Sequence, residues 1–453
     1  MPAIPPDEIL LHPSSTGTDL DARLFEWGGE LYRGVRPRFA GDYRALAESG
    51  AYARLVDRGL AAPVEVADLE ADGFDLVLRH ERVEFVTYPF EWPWPMLKDA
   101  GLALLDLNLS LVDAGYLVKD PSSWNVLFEG ARPVYVDFTN IWALERVDYA
   151  REAWAEWFRS YYTYPLRLAG EGKGRVVRRL LRDYERGIVF DEFLELGVHA
   201  RDRLAKQAGR VERRLRRRFP RPPREWRGIL VGLREELADV DVPVPVTKWS
   251  KYYDRSLSPA APVEGLTAKH ENVRAVLGEL RPRTVCDVGP ATGWFSHLAA
   301  EHGARVAGLE VDESAASRLY LAARDGGADV HAVVMDITHP TPAYGLLGAR
   351  VASAPERLGG ELALVLAVVH HLVHGMGLDL DQVAGSLAPF ARRRLLVEWI
   401  EFEDEASHSV YREPRADYTV DAFVAALERT GLHLVQRLDS HPATRSLLLL
   451  ERR

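Results

Sequence analysis

The sequence is poor in the features that mark secreted, membrane-spanning and nucleic-acid-binding proteins. Its 453 residues include one cysteine, Cys286, which excludes an internal disulfide framework and favours a reducing compartment. No apolar run reaches the roughly 18 residues that span a membrane, and residues 1–8 lack the basic and apolar regions of a signal peptide. A formal net charge of −10 disfavours a general nucleic-acid binder. We therefore expect a cytoplasmic globular protein without a membrane span.

A chain of this length exceeds one ordinary core, so two or three domains are expected. Residues 239–247 alternate proline, valine and aspartate without a helical period, which indicates a boundary. The sequence predicts a loose arm at 1–20, an α+β domain with a helical basic extension at 21–240, a linker or lid at 241–265 and an α/β domain at 266–453. Within the linker, Trp249, Tyr252 and Tyr253 either cover a pocket or pack on the sheet.

The chain also lacks the G-x-G-x-x-G pattern of dinucleotide-binding turns. An apolar run leads instead into a glycine-containing stretch and then a helical pattern; the stretch is Asp287-Val288-Gly289-Pro290-Ala291-Thr292-Gly293-Trp294-Phe295. Gly289 and Gly293 have no Cβ, so the backbone can turn sharply and approach a ligand. The following helix points its N-terminus at the same place. This arrangement predicts a nucleotide-type α/β domain.

Strand and helix patterns alternate from this stretch onward, which predicts a doubly wound, mostly parallel seven-stranded sheet. A terminal β-hairpin, with strands at 433–438 and 445–450, closes the sheet. The first three strands end in acids: Asp287, Glu310 and Asp336. Because ligands bind beyond the carboxyl ends of such strands, we expect the three carboxylates to line one site.

The D-x-G-x-x-x-G spacing and the terminal hairpin resemble those of class I methyltransferases, which use S-adenosyl-L-methionine (AdoMet) and release S-adenosyl-L-homocysteine (SAH). The resemblance implies that Glu310 accepts the ribose hydroxyls, that Asp336 meets the adenine amine and that Asp287 lies near the methionine ammonium. It also implies cofactor contacts by Gly289, Ala291, Gly293, Trp294, Phe295, Val311, Ile337 and Ala367. Ala291 stands where many relatives have glycine, which costs little if its φ is negative.

Methyl transfer to a hydroxyl needs alignment and a base. His370 and His371 follow the fourth predicted strand, where the acceptor normally sits, and the pKa of histidine suits a base. His371 is the first candidate and His370 the second, with helix capping or packing as the alternative. Glu398 ends the fifth strand and either orients the histidine or binds the acceptor. The N/D-P-P-Y loop of many amine methylases is absent, which disfavours adenine or glutamine N-methylation.

The N-terminal half carries a second motif. Asp120 lies five residues before Asn125, and Asp137 closes a strand after a short hairpin. This resembles the catalytic loop and metal-binding strand end of protein-kinase-like and aminoglycoside-kinase-like folds. No lysine precedes Lys98, so only Arg33 is placed to replace the lysine that grips the phosphates. We expect a degenerate kinase-like scaffold without phosphotransfer, in which Asn125 and Asp137 are candidate metal ligands; turn chemistry or an unrelated α+β domain is the alternative.

Across nearly the whole chain the sequence resembles a family of bacterial methyltransferases related to the nodulation protein NoeA. The resemblance lies in the stretches 88–92, 119–125, 287–296, 366–372 and 396–399. It implies a kinase-like N-terminal portion joined to an AdoMet domain, and it does not supply the substrate.

We therefore expect an AdoMet-dependent methyltransferase that acts at oxygen on a small-molecule, carrier-bound or glycan acceptor presented by the N-terminal domain. Two alternatives stay open: an AdoMet-consuming lyase or cyclase, and a non-catalytic protein that senses AdoMet and nucleotide. Two arginine-rich segments, at 175–179 and 210–221, either meet an anionic partner or form a solvated helix face. The sequence does not decide the acceptor, the methylated atom or the number of subunits.

Overall fold

A computed structural model describes residues 2–12, 21–183, 187–197, 225–251, 266–345, 348, 350–407, 410 and 413–453. The arginine-rich stretch at 210–221 and the pair Tyr252 and Tyr253 lie outside these residues. The described elements form an N-terminal α+β part and a C-terminal α/β part that share a hydrophobic core.

The N-terminal part begins with a small sheet and two helices. Its elements are β1 (Ala3–Ile4), β2 (Leu10–Leu11), β3 (Ala22–Trp27), β4 (Glu30–Val35), α1 (Pro37–Glu48), α2 (Ala51–Asp57), β5 (Val64–Val66), β6 (Glu70–Ala71) and β7 (Leu76–His80). Five of the strands form an antiparallel sheet in the order β2-β3-β4-β7-β5. Gly28 and Gly29 form the two-residue turn between β3 and β4, and both have the positive φ, 58° and 83°, that such a turn needs.

The first residues are not a loose arm where the structure describes them. β1 pairs in parallel with β6, and β2 pairs antiparallel with β3. Ile4 is buried in a small cluster with Phe25 and Tyr32. Sheet hydrogen bonds and this apolar contact hold residues 2–12 to the domain, which corrects the expectation for that part of 1–20.

The middle of the chain is mainly helical and contains two short strand pairs. Its elements are α3 (Trp94–Asp113), β8 (Tyr116–Val118), β9 (Val126–Glu129), β10 (Arg132–Tyr135), β11 (Ile141–Ala143), α4 (Arg151–Tyr161), α5 (Thr163–Leu168), α6 (Gly174–Asp183), α7 (Phe190–Leu196) and α8 (Trp226–Ala238). β8 pairs with β11, and β9 pairs with β10. This pairing brings the loop of Asp120, after β8, beside the loop of Asp137, before β11.

The C-terminal part is a single large sheet with helices. Its elements are α9 (Ala268–Leu280), β12 (Thr284–Val288), α10 (Trp294–Glu301), β13 (Arg305–Glu310), α11 (Glu313–Gly326), β14 (Val330–Val334), α12 (Ala354–Leu358), β15 (Gly360–Val365), α13 (Leu380–Leu387), β16 (Ala391–Ile400), α14 (Val420–Arg429), β17 (Leu432–Asp439) and β18 (Arg445–Arg452). The order is β14-β13-β12-β15-β16-β18-β17, and β18 alone runs antiparallel to the other six strands. The expected seven-stranded, mostly parallel sheet with a terminal hairpin is confirmed.

The strand order reverses between β12 and β15, which are direct neighbours in the sheet. In open α/β sheets the ligand crevice lies at such a switch point, beyond the carboxyl ends of the strands. This topology directs attention to the turn after Val288 and the segment after Val365.

The two parts of the chain are packed against each other. Arg357 Nη2 lies 2.7 Å from Glu91 Oε1, and both side chains are buried. The Gly130 N–H donates to His331 Nε2 at 2.9 Å. Phe85 is buried within the core of the C-terminal sheet. The segment 85–94 is therefore part of the interface between the halves.

Among the helices that the structure describes, none combines the length and the apolar character that a bilayer crossing requires.

Candidate functional site

The glycine-containing turn between β12 and α10 forms one wall of the crevice. Gly289 and Gly293 have φ of 70° and 90°. A Cβ on Gly289 would lie 2.8 Å from Val368 Cγ2, and one on Gly293 would lie 2.1 Å from Leu319 Cδ1. A larger residue at either position would strain the backbone and meet a neighbouring side chain. Glycine at these two positions therefore leaves the turn open to a ligand, so that the turn forms a cradle.

Ala291, in the same turn, has a φ of 52°. Alanine was expected to cost little here only if its φ were negative. The observed φ is positive, and this left-handed conformation costs a non-glycine residue roughly 1–2 kcal/mol. A hydrogen bond holds the strained residue: its N–H donates to Glu310 Oε2 at 2.9 Å. The turn therefore depends on the carboxylate at the end of the next strand.

Replacing Ala291 with glycine should raise the free energy of unfolding by about 1 kcal/mol. Glycine adopts a positive φ without strain, and it loses only part of that gain to the greater entropy of the unfolded chain. Urea denaturation measures the change. Ala300→Gly, within helix α10, is the matched control and should lower the same free energy by about 1 kcal/mol. Loss of stability in both variants would contradict the assignment of strain.

Glu310 ends β13 and is buried. Oε2 accepts from the Ala291 N–H and Oε1 accepts from the Asp312 N–H, each at 2.9 Å. Burial raises the pKa of this carboxyl, and the backbone N–H bonds lower it in part. A carboxylate has about four acceptor positions, so both oxygens keep capacity for ligand hydroxyls. Glu310 braces the turn and retains acceptors for a diol.

The neighbouring strand ends supply the exposed part of the crevice. Val311, directly after β13, is 63% exposed, and the Asp336 side chain, after β14, is 40% exposed. Asp336 Oδ1 accepts from the Thr338 N–H at 2.9 Å. Ile337 is buried in the core instead. An exposed apolar side chain and an exposed carboxylate that follow two paired strands suit a flat heterocycle with an exocyclic amine.

Asp287 lies in β12 and is buried. Its Oδ2 accepts from Ser296 Oγ at 2.6 Å. Burial raises the pKa of this carboxyl to about 7, the Ser296 bond lowers it, and the charge of Glu310 raises it. Near neutral pH the group lies between its two protonation states, so a nearby ligand cation would favour the charged one.

The contribution of Asp287 to stability should fall as the pH rises from about 4 to about 7. Its folded-state pKa lies above the unfolded value of about 3.9, so the folded protein binds more protons in this window and the free energy of unfolding decreases with pH. Above the folded-state pKa the free-energy cost of burying the ionised Asp287 carboxylate is fully present. Urea titrations across this window should show a flatter profile for Asp287→Asn than for the natural chain; parallel profiles would contradict the raised pKa.

An ion pair that the sequence did not reveal lies beside these strand ends. Lys269 Nζ, in α9, is 2.7 Å from Glu398 Oε2, and Ser440 Oγ donates to Oε1 at 2.6 Å. Glu398 is fully buried. Both oxygens of Glu398 are engaged by Lys269 and Ser440. The two roles expected for Glu398, orienting a histidine or binding the acceptor, remain predictions. Lys269 and Glu398 are 129 residues apart, and no local pattern connects them.

The aromatic pair at the start of α10 packs beside the turn. Trp294 and Phe295 are both buried. His270 of α9 lies edge-on to Trp294, with ring centroids 4.5 Å apart, and is stacked on Phe295 at 5.4 Å. The two rings hold α9 against α10, so they set the position of the turn through packing.

The two candidate bases follow β15 through a strained residue. Ala367 has a φ of 58°. His370 is buried, and burial lowers its pKa to about 3. His371 is half-buried, and burial together with the charge of Lys248 lowers its pKa. Both imidazoles are therefore neutral at pH 7, and His371 is the more accessible one.

A short turn before α9 reaches these histidines. Trp249 lies edge-on to His371, with ring centroids 5.2 Å apart. Lys248 Nζ is 4.8 Å from the centre of the Trp249 ring. Thr247 Oγ1 donates to Asp312 Oδ1 at 3.0 Å, which ties the segment to the start of α11. Trp249, predicted as either a lid or sheet packing, covers one side of His371.

In the N-terminal part, the loops bring Asp120, Asn125 and Asp137 into one cluster. Asn125 Nδ2 donates to the Asp120 carbonyl at 3.5 Å, and burial followed by the charge of Asp137 raises the pKa of the Asp120 carboxyl to about 6. Arg33 Nη1 is 2.6 Å from Asp137 Oδ1. The guanidinium thus supplies the positive charge beside Asp137. Within the ranges given above, no three His, Cys, Asp or Glu side chains are grouped as a metal site.

The chain is similar to a known nodulation protein over most of its length. No family model matches the chain. Over 406 residues it is 26% identical to the nodulation protein NoeA of Rhizobium meliloti (strain 1021), and the alignment covers 85% of this chain and 83% of NoeA.

Solved methyltransferases are similar over 40% of this chain. The magnesium protoporphyrin IX methyltransferase of Synechocystis PCC 6803, solved with bound SAH, is 17% identical and matches over 81% of its length with a TM-score of 0.30. The bifunctional kinase-methyltransferase WbdD is 23% identical and matches over 36% of its length with a TM-score of 0.29. A TehB-like SAM-dependent methyltransferase of Corynebacterium glutamicum ATCC 13032 is 12% identical and matches over 87% of its length, also with a TM-score of 0.29. The chain is thus similar to NoeA over most of its length and to methyltransferase structures over a smaller share.

Proposed function

We propose that this protein is an AdoMet-dependent methyltransferase. One observation carries the proposal: the crevice at the switch point of the sheet combines a glycine cradle at Gly289 and Gly293 with carboxylates at three consecutive strands. A dinucleotide pyrophosphate needs free N–H groups and no nearby negative charge. Here the Ala291 N–H is bound to Glu310, and Asp287 adds a second acid. The crevice therefore favours a ligand that carries a cation.

The residues present fit AdoMet group by group. Glu310 keeps acceptor capacity for the ribose diol, and the exposed Asp336 side chain is available to the adenine amine. Val311 offers an exposed apolar surface to the adenine ring. Asp287, whose pKa burial raises to about 7, gains from a cation such as the methionine ammonium.

When bound, AdoMet supplies a methyl group on a positively charged sulfur. His371 is neutral at pH 7 and is able to accept a proton from an acceptor hydroxyl. Trp249 lies against His371 and excludes water from that side. We infer an acceptor that is a small molecule, a carrier-bound group or a glycan, presented by the N-terminal half with which the sheet shares a core.

Isothermal titration calorimetry of the full chain with AdoMet and with SAH tests the proposal. Both ligands should bind, and Gly289→Val should abolish binding because its side chain would fill the cradle. Gly326→Ala is the control, since a Cβ there meets nothing within 4 Å. Absence of heat with both ligands would overturn the proposal. With an acceptor present, release of SAH supports methyl transfer, whereas release of methylthioadenosine would favour the lyase or cyclase.

We also propose that the N-terminal part is a degenerate kinase-like domain. Arg33 lies on β4, the third strand of its sheet in chain order, and kinases carry their phosphate-gripping lysine on the third strand. Its ion pair with Asp137 supports this assignment. Thermal-shift measurements with ATP and Mg²⁺ test it. A shift that is lost in Asp137→Ala would indicate nucleotide sensing, and no shift would indicate a scaffold without nucleotide binding.

A further inference from the structure

A cavity of about 560 Å³ opens beside Asp120 in the N-terminal part. Its described lining residues all lie between 119 and 189, so it is separate from the crevice beyond the C-terminal sheet. The volume is within the range of small-molecule sites. Its lining includes four aromatic and three acidic side chains: Trp142, Tyr149, Trp157, Tyr161, Asp120, Asp148 and Glu156.

Two of the aromatic side chains, Tyr149 and Trp157, form one wall of the cavity, and a third, Trp142, lies beside a lysine. Tyr149 and Trp157 are in contact, with ring centroids 5.2 Å apart and planes inclined by 56°. Trp157 is 43% exposed, an unusual degree for a side chain of its size. On the same cavity, Lys119 Nζ lies 4.5 Å from the centre of the Trp142 ring. The electron-rich faces of these rings attract positive charge.

The acidic side chains exceed the basic ones. Lys119 is the one basic residue in the described lining, against three carboxyl groups. Glu156 is already held by Tyr164 Oη at 2.7 Å and by Arg159 Nη1 at 3.7 Å. Asp148 is exposed and Asp120 is half-buried, so both carboxyl groups are within reach of a ligand in the cavity.

We propose that this cavity binds a small organic cation, an amine or quaternary ammonium group, between the Tyr149–Trp157 wall and the carboxylates of Asp120 and Asp148. A bare metal ion would gain little from the aromatic faces, since hard cations prefer oxygen ligands. A neutral polyol could donate hydrogen bonds to the carboxylates, but it carries no positive charge for the aromatic faces to attract. The combination of rings and acids selects a ligand that is both positively charged and partly apolar.

Tryptophan fluorescence and calorimetry on the full chain, without AdoMet, test this with three probes: choline, putrescine and the neutral choline analogue 3,3-dimethyl-1-butanol. At least one cation should bind saturably and quench fluorescence, and the neutral analogue should need a roughly tenfold higher concentration. Failure of both cations to bind, or equal binding of the neutral analogue, would overturn the proposal.

Two variants locate the binding. Asp148→Asn changes an exposed side chain and should weaken cation binding roughly fivefold without affecting the fold. Glu48→Gln, an exposed acid on α1, is the control and should leave the dissociation constant unchanged. Equal effects of the two substitutions would mean that the cation binds to general surface charge. Because no readout involves AdoMet, this result is independent of the proposed methyl transfer.

Discussion

Replacing Arg357 with methionine should lower the free energy of unfolding by roughly 3–5 kcal/mol. Arg357 Nη2 donates to Glu91 Oε1 at 2.7 Å, and the two side chains are 5% and 2% exposed. The substitution leaves a buried carboxylate whose remaining partners are Thr341 Oγ1 and the Tyr88 N–H. Such a group cannot be resolvated without opening the interface between the halves. Urea unfolding measures the loss.

Two controls separate this effect from the general loss of an arginine. The double variant Glu91→Leu/Arg357→Met removes both charges and should be more stable than Arg357→Met alone. Arg429→Met breaks a pair with Asp381 in which both side chains are about 60% exposed, and it should cost about 1 kcal/mol or less. A loss for Arg357→Met as small as that of Arg429→Met would mean that the buried pair does not join the halves.

Replacing Glu310 with alanine should weaken AdoMet binding about 100-fold or more. It removes the acceptor of the ribose hydroxyls, and each hydrogen bond to a charged group contributes about 1.5–3 kcal/mol. It also removes the bond that holds the turn at Ala291. Calorimetry with AdoMet and SAH should show the same loss for both, because they share the ribose. Circular dichroism checks that the sheet is retained.

The double variant Ala291→Gly/Glu310→Ala separates the two roles of Glu310. Glycine relieves the strain at φ 52°, so the turn no longer depends on the carboxylate. Any loss of AdoMet affinity that persists in the double variant measures the contribution of the contact between Glu310 and the ligand. Full recovery would mean that Glu310 acts only by bracing the turn, and an unchanged affinity in Glu310→Ala would exclude a ribose contact.

The interface between the halves reaches the cofactor side of the sheet. Glu313, three residues after Glu310, begins α11 and accepts from the Trp94 N–H at 3.2 Å. Arg178 of α6 donates to the same carboxylate. Further along α11, Tyr320 Oη donates to Asp99 Oδ2 at 2.9 Å. The N-terminal half therefore contacts α11, the helix that follows β13. A change in the N-terminal half that moves α11 would alter the crevice.

Local sequence patterns were sufficient to predict the strands and helices of the C-terminal part and the position of the crevice in the sheet. The alternating strands and helices of the C-terminal part and its terminal hairpin agree with the sequence. Hydrophobic periodicity and turn chemistry act over a few residues, so they can be read without knowledge of the fold. The acids at strand ends followed from the same patterns, because a strand end is a local feature.

Which distant side chains meet was decided only by the tertiary structure. Glu398 pairs with Lys269 across 129 residues, and Arg33 pairs with Asp137 across 104 residues. The positive φ of Ala291 likewise exists because a carboxylate from the next strand holds the N–H. These features depend on burial, where an ionised group must find a partner wherever the packing places one. The sequence alone determined the strands and helices of the large sheet and the place where its acids lie; packing determined the electrostatic partners of those acids.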